Sequence, residues 1–296
     1  MMKALLNLVP WRRAHAALER ADALAAAGRR DDALGALRGL SISDFGKVLL
    51  GVPHRFGALA AALPEMPSEK IQRDWTGSSG RALLRQTSAF VRSVETAFVK
   101  LCGRPLENAT ILDYGCGWGR IMRLMYRFSA PDKIYGVDAW ESSIEICRAT
   151  RLLGNLARCD DVPRELPFGR VTFDLIYAFS VFTHLSEKTG RAVLAAIRRR
   201  IRADGLLVLT VRPVEYWQVQ SWFPPGTDAT VMRTRHREQG FAFIPHRREP
   251  IDGDIPFGDA SISLDHVRRN WTEWHLAGHE TNGVDRYQVA LFLRPR

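Results

Sequence analysis

Residues Leu112–Arg120 read LDYGCGWGR, and the whole chain is best read outward from them. An apolar run, ATILDY, ends in a glycine turn and opens into GRIMRLMYRF, whose apolar spacing predicts a helix. Gly115, Gly117 and Gly119 can take dihedrals closed to other residues and let a ligand approach the backbone. Asp113 stands at the strand end as an acceptor for a cationic amino group. The spacing is GxGxG; a dinucleotide fingerprint would need glycine where Arg120 stands. No glycine-lysine-serine/threonine step comes after it, which excludes a P-loop.

Downstream, KIYGVDA, SSIEICRATRLL, FDLIYAF, a helix around Arg191 to Ile201 and GLLVLTV alternate strand with helix. That alternation predicts a mostly parallel sheet covered on both faces, with its ligand at the carboxyl ends of the strands. Asp138 closes the second strand, where a carboxylate can accept both hydroxyl protons of an adenosine ribose. The rhythm then breaks into a basic, aromatic, loop-rich stretch to about Asn270, whose DIPFGDASISL portion offers short strands. WTEWHLAGHE and RYQVALFLR, joined through Asn282-Gly283, close the chain as a hairpin on the sheet edge.

With these residues in view, Ala109 through Pro213 resembles the core of the class I S-adenosylmethionine-dependent methyltransferases. The resemblance implies a Rossmann-like, seven-stranded, mostly parallel α/β sheet ending in an antiparallel hairpin, with S-adenosyl-L-methionine as cofactor. It places Asp113, Gly115, Cys116, Gly117 and Gly119 at the methionine part and Asp138 at the ribose. Ala139 and Trp140 would flank the adenine, and Asp160 and Asp161 would meet its amino group. Phe179, Ser180 and His184, in the fourth-strand run FDLIYAFSVFTHL, would approach the methyl group. His184 is also read as a helix cap or a partner of a buried carbonyl, and Trp75 with the Gly77–Gly80 turn either closes over the cofactor or forms a bend.

Before the core, Ala14 to Leu40 reads as a helical hairpin broken at Gly28, with one phrase like part of a tetratricopeptide repeat. Pro53, Pro64 and Pro67 punctuate the next stretch, and Ser68 caps a segment leading to Trp75. Ala82 to Val99 is a helix whose Leu83, Phe90, Val94 and Phe98 share a face. The expected organisation is a helical N-terminal appendage over 1–66 and a methyltransferase domain over 67–296, in which 213–270 is an acceptor-side insertion.

Apolar residues at 46% and charged residues at 25% of 296 exclude a disordered chain. The net charge of +10 sits largely in arginine clusters such as Arg198–Arg200 and Arg247–Arg248, which are solvated faces or anion-binding patches. Four cysteines show no zinc pairing and no disulfide framework, so no metal and a reduced, cytoplasmic setting are expected. The apolar opening, MMKALLNLVPWRR, is too short to span a membrane; contact with a membrane surface is compatible with it but not favoured. After the fourth strand the chain reads Ala178-Phe179-Ser180-Val181, without the Asp/Asn-Pro-Pro-aromatic motif of nitrogen methylation, which disfavours nucleic acid. The first expectation is O-methylation of a small-molecule or glycan hydroxyl, an anionic one included, with His184 as the base. The alternatives are a protein or RNA methyltransferase and a non-catalytic cofactor-binding scaffold.

Overall fold

The computed structural model describes residues 8–219, 223 and 226–296. The apolar opening that raised the membrane-surface question lies largely outside them. No helix among the described residues is long and apolar enough to cross a membrane.

The N-terminal third is helical: α1 (Leu8–Ala26), α2 (Arg30–Leu37), α3 (Ile42–Leu50), α4 (Gly57–Ala62), α5 (Glu69–Thr76) and α6 (Gly80–Cys102). Ser41 and Ser68 cap α3 and α5, each accepting from a backbone N–H three residues on, which satisfies donors that a helix start leaves free. The core comprises β1 (Ile111–Tyr114), α7 (Arg120–Met125), β2 (Ile134–Asp138), α8 (Glu141–Ala149), β3 (Asn155–Arg158), β4 (Phe173–Ala178), α9 (Glu187–Arg198) and β5 (Ile201–Val211). After it come α10 (Ala229–Gln239), β6 (Phe241–Pro245), β7 (Gly258–Ile262), α11 (Leu264–Asn270), β8 (Trp274–Thr281) and β9 (Val289–Pro295).

Seven strands form one sheet in the order β3-β2-β1-β4-β5-β9-β8. The first five are parallel, and β9 and β8 run antiparallel as the terminal hairpin. Neighbouring residues in the central strands feed opposite faces, as a pleat requires. Ile111, Leu175 and Leu206 pack on one side and Leu112, Ile176 and Leu207 on the other. Burial on both sides explains why these strands read as continuous apolar runs. The first side is covered by α6 through Phe90, Val94 and Phe98, and the N-terminal helices join the same apolar cluster through Leu18, Leu34, Phe45 and Leu59.

Three details differ from the sequence reading. The helix expected to Ile201 stops at Arg198, because Ile201 already pairs with Phe173 and begins β5. The short run NLAR forms strand β3 at the edge beside β2. The stretch expected to be loop-rich also contains α10 and strand β6, which pairs antiparallel with β7 in the DIPFGDASISL portion, where short strands were expected. In α10 only Met232 and His236 are buried, so no apolar stripe announces the helix.

Arg123 ties these layers together at their centre. Only 2% exposed, it donates to the carbonyls of Trp118, Gly119 and Glu65 and to the Thr150 hydroxyl, at 2.6, 3.0, 2.8 and 2.8 Å. It thereby joins the glycine turn, the linker before α5 and the end of α8. Arg123→Met should destabilise the fold by about 2–4 kcal/mol, since charge-assisted bonds are lost and buried acceptors are left unpaired. The check is urea unfolding, where a lower midpoint at unchanged slope is expected and an unchanged midpoint would contradict the role.

Candidate active site

The loop leaving β1 is shaped by its glycines and hung from the end of β2. Gly115 has φ +74°, and a Cβ there would stand 2.3 Å from a Val181 methyl carbon; Gly119 has φ +76° and would meet Leu152 at 2.2 Å. The N–H groups of Gly115 and Cys116 both donate to the Val137 carbonyl, at 2.8 and 3.0 Å. One oxygen of Asp138 accepts from the Gly117 N–H and the other from the Trp140 N–H, both at 2.9 Å. Each oxygen is oriented by one backbone bond and keeps a further lone pair.

A cavity of about 580 Å³ opens at the carboxyl ends of β1, β2 and β4. Asp113, Gly115, Cys116 and Gly117 line it on the loop side, and Asp138, Ala139, Trp140 and Asp161 on the β2 side. Phe179, Ser180 and His184 approach from the end of β4. Two expected residues stand apart: Gly119 caps α7 behind the wall, and Asp160 is exposed, its neighbour Asp161 being the one that faces inward.

Ser180 has φ +60°, a conformation costly for a side chain with a Cβ and found where surrounding bonds enforce it. Its N–H donates to the Thr210 hydroxyl at 2.7 Å, and its own hydroxyl meets Thr183 at 3.2 Å and the Gln288 amide at 3.0 Å. The end of β4 is therefore rigid where it meets the cavity.

His184 meets a different environment from the one expected of a base. Its Nδ1 is 2.8 Å from the Gly258 carbonyl, which can only accept, so Nδ1 carries the proton. Its Nε2 is 3.1 Å from Arg212, whose guanidinium can only donate, so the free lone pair is already engaged. Burial, reinforced by the Arg212 charge, lowers its pKa to about 4. Arg212 is held in turn by Asp259 at 2.6 Å, and Asp259 also accepts from Tyr216 and His246, both at 2.9 Å. In this geometry the ring is neutral and both its nitrogens are engaged.

Around the mouth runs an aromatic wall that the sequence motifs announce only in part. Trp75 lines the cavity and meets Trp140 edge-on at 5.6 Å; Trp140 contacts Phe257 at 5.4 Å, and Phe257 stacks on His184 at 5.1 Å and 11°. Arg248 lies over both Trp140 and Phe257, 5.1 and 4.7 Å from the ring centres. Phe257 is delivered from the insertion by strand-like pairing. Ser186 donates to the Pro256 carbonyl, Gly258 to that of His184 and Ala260 to that of Thr183. The segment IPFGDASISL carried the signal, but the ring it supports lies 74 residues earlier.

Residues 111–205 match a family model described as a methyltransferase domain. Over those residues the chain is similar to the class I S-adenosylmethionine-dependent methyltransferases. Among curated proteins similar to this chain is the ubiquinone biosynthesis O-methyltransferase of Mesorhizobium japonicum, 32% identical over 139 residues, covering 42% of this chain and 53% of that protein. The protein of the same name from Sinorhizobium medicae is 27% identical over 140 residues, with the same coverage of 42% and 53%. The chain spans about half the length of the curated relatives it matches. The PH0226 protein of Pyrococcus horikoshii OT3 shares the fold at a TM-score of 0.51 and 17% identity, over 74% of this chain and 92% of that one.

The cavity suits the family's cofactor chemically. Asp138 presents two oriented oxygens to vicinal hydroxyls, and Asp113, 2% exposed, offers a carboxyl to an ammonium. Burial raises the Asp113 pKa to about 8, against the opposing pulls of Tyr177 and Arg120. Below that pH the carboxyl is protonated in the free protein, and a cationic ligand beside it favours the carboxylate, so binding expels a proton. Affinity for S-adenosylhomocysteine should therefore rise from pH 6 to 8, by up to about tenfold per unit for one linked proton, and level off above. Calorimetry across this range tests it; a flat profile, or a slope unchanged in Asp113→Asn, would contradict the assignment.

Proposed function

We propose that this protein methylates a hydroxyl of a small molecule or glycan, using S-adenosylmethionine bound in the cavity between Asp138 and the end of β4. The observation that carries the reading is the pair of backbone bonds from Gly117 and Trp140 to Asp138, which fix a ribose-type acceptor at one end of a partly aromatic cavity. We assign Asp113, Gly115, Cys116 and Gly117 to the methionine part, Ala139, Trp140 and Asp161 to the adenine side, and Phe179 and Ser180 to the methyl-transfer end. The O-methyltransferase names of the curated relatives support an oxygen acceptor.

When bound, the cofactor supplies a methyl group on a positively charged sulfur, already activated toward displacement. The protein's part is then to align the acceptor oxygen behind that carbon and to keep water out. Ser180, locked by Thr210, Thr183 and Gln288, provides a fixed wall for alignment, and the Trp75, Trp140 and Phe257 rings shield the mouth. His184 serves as a positioning residue: its ring supports Phe257, and its two nitrogens join the insertion to Arg212.

Incubating the protein with isotopically labelled S-adenosylmethionine and a cell extract, followed by mass spectrometry, tests the activity and identifies the acceptor. A labelled metabolite or glycan supports the reading; label only in protein or RNA, or in nothing, contradicts it. At saturating cofactor, turnover should show no limb near pH 6.5, and His184→Gln should keep the wild-type pH profile with a loss of less than about tenfold, because a general base usually contributes about 10²-fold or more. A wild-type limb near pH 6.5 that vanishes in the variant would restore the histidine as base.

A further inference from the structure

Methylation of a hydroxyl releases a proton, and most groups on the cavity wall that could receive it are already committed. Asp113, Asp138 and Asp161 belong to the proposed cofactor positions, His184 has both nitrogens engaged, and Asp74 pairs with Lys70. Burial pushes the Tyr114 hydroxyl up and the Cys159 thiol up to about 12, and contact with Cys147 together with burial raises the Cys116 thiol, so these three keep their protons near neutral pH. Among the described residues lining the cavity, Asp285 is the carboxylate that remains.

Asp285 stands in the loop between β8 and β9, and two glutamines fasten it to the residues at the end of β4. Within the loop, Asn282 Oδ1 accepts from the Val284 and Asp285 N–H groups, and the Gln288 N–H donates to the Asp285 carbonyl at 3.0 Å. From this turn the Gln288 amide donates to the Ser180 hydroxyl at 3.0 Å. On the other side Gln86, on α6, donates to Asp285 Oδ2 at 3.0 Å. The orientation of that amide is set by Arg120, which can only donate and does so to Gln86 Oε1 at 2.6 Å, while its guanidinium lies 4.8 Å from the centre of the Phe179 ring. The carboxylate is therefore held by groups that touch both Phe179 and Ser180. The Tyr287 N–H donates to Asp285 Oδ1 at 3.1 Å, so each oxygen accepts one bond and retains a further lone pair.

We propose that Asp285 is the general base of the reaction, receiving the proton of the acceptor hydroxyl. The proposal deepens the hydroxyl-methylation reading and rests on it. As the acceptor oxygen forms its bond to the methyl carbon, the bond from that carbon to sulfur breaks with its electron pair kept by sulfur. The O–H proton passes to an open lone pair of Asp285, which returns it to water. Charge balances, because a positive donor and a negative carboxylate become a neutral thioether and a neutral carboxylic acid. Two parts of the chain outside the residues that match the family model, α6 and the loop of the terminal hairpin, thereby set the position of the base.

Label transfer from isotopically labelled S-adenosylmethionine into a cell extract freed of protein and RNA gives the rate, and calorimetry with S-adenosylhomocysteine reports the cofactor site separately. Asp285→Asn, which removes the charge at nearly constant shape, should lower the initial rate about 10²-fold or more. Its affinity for S-adenosylhomocysteine should stay within about threefold of wild type, which also shows that the variant is folded. In Asp285→Ala, sodium formate should restore part of the rate as its concentration rises, and sodium chloride at the same ionic strength should not. A rate in Asp285→Asn within about tenfold of wild type would overturn the proposal. So would a fall in S-adenosylhomocysteine affinity that matches the loss of rate, which places Asp285 at the cofactor, or a loss that formate leaves unrepaired, which marks a contact for shape alone. Wild-type protein that binds S-adenosylhomocysteine yet labels nothing would remove the methylation reading itself, and the base with it.

Discussion

The site depends on a carboxylate that is fixed before any ligand arrives. Asp138 holds the glycine loop with one oxygen and the start of the β2–α8 turn with the other, while the Val137 carbonyl receives two further N–H groups of the same loop. Backbone that would otherwise be free to vary is tied to β2, an inner strand of the sheet. Preorganisation of this kind lowers the cost of ordering a site on binding. It also gives Asp138 a structural duty, since losing the carboxylate releases the loop as well as a ligand contact.

The other wall of the cavity is borrowed from a distant part of the chain. The insertion runs beside Thr183 to Ser186 as an added strand and sets Pro256 and Phe257 at the mouth. Beneath it, Arg212 and Asp259 form a buried ion pair, with exposures of 9% and 5%, and Asp259 accepts from three side chains. Buried pairs of this type contribute little net stability but penalise alternative arrangements, because any shift strands a charge. Their effect here is to fix where β7 lies against the end of β4, and so the shape of that wall of the cavity.

How much of the site is legible in the sequence depends on how local each signal is. The glycine loop, Asp138 and the five parallel strands are encoded by neighbours in the chain, and all but one of those strands could be read directly from their pattern. The exception, β3, is short and edge-placed, and α10 buries too few apolar side chains to show a period. Asp160 and Asp161 were expected together, and only the turn geometry shows that Asp161 alone of the two lines the cavity. The surroundings of His184 are not legible in sequence because its partners, Gly258 and Arg212, lie 74 and 28 residues away, and no local pattern reports that both nitrogens are engaged. Arg120 is visible in the sequence only as the residue that breaks a dinucleotide fingerprint, and its bond to Gln86 emerges only when α6 is brought beside α7.

Every role assigned to the cavity depends on where the ligand lies, so a crystal structure of the complex with S-adenosylhomocysteine is the decisive measurement. The ribose hydroxyls should lie within hydrogen-bond distance of Asp138, with the adenine beside Trp140 and Asp161 and the sulfur directed toward Phe179 and Ser180. A nucleoside bound elsewhere, or bound here in the opposite sense with its adenine against Ser180, would contradict the site and the function drawn from it.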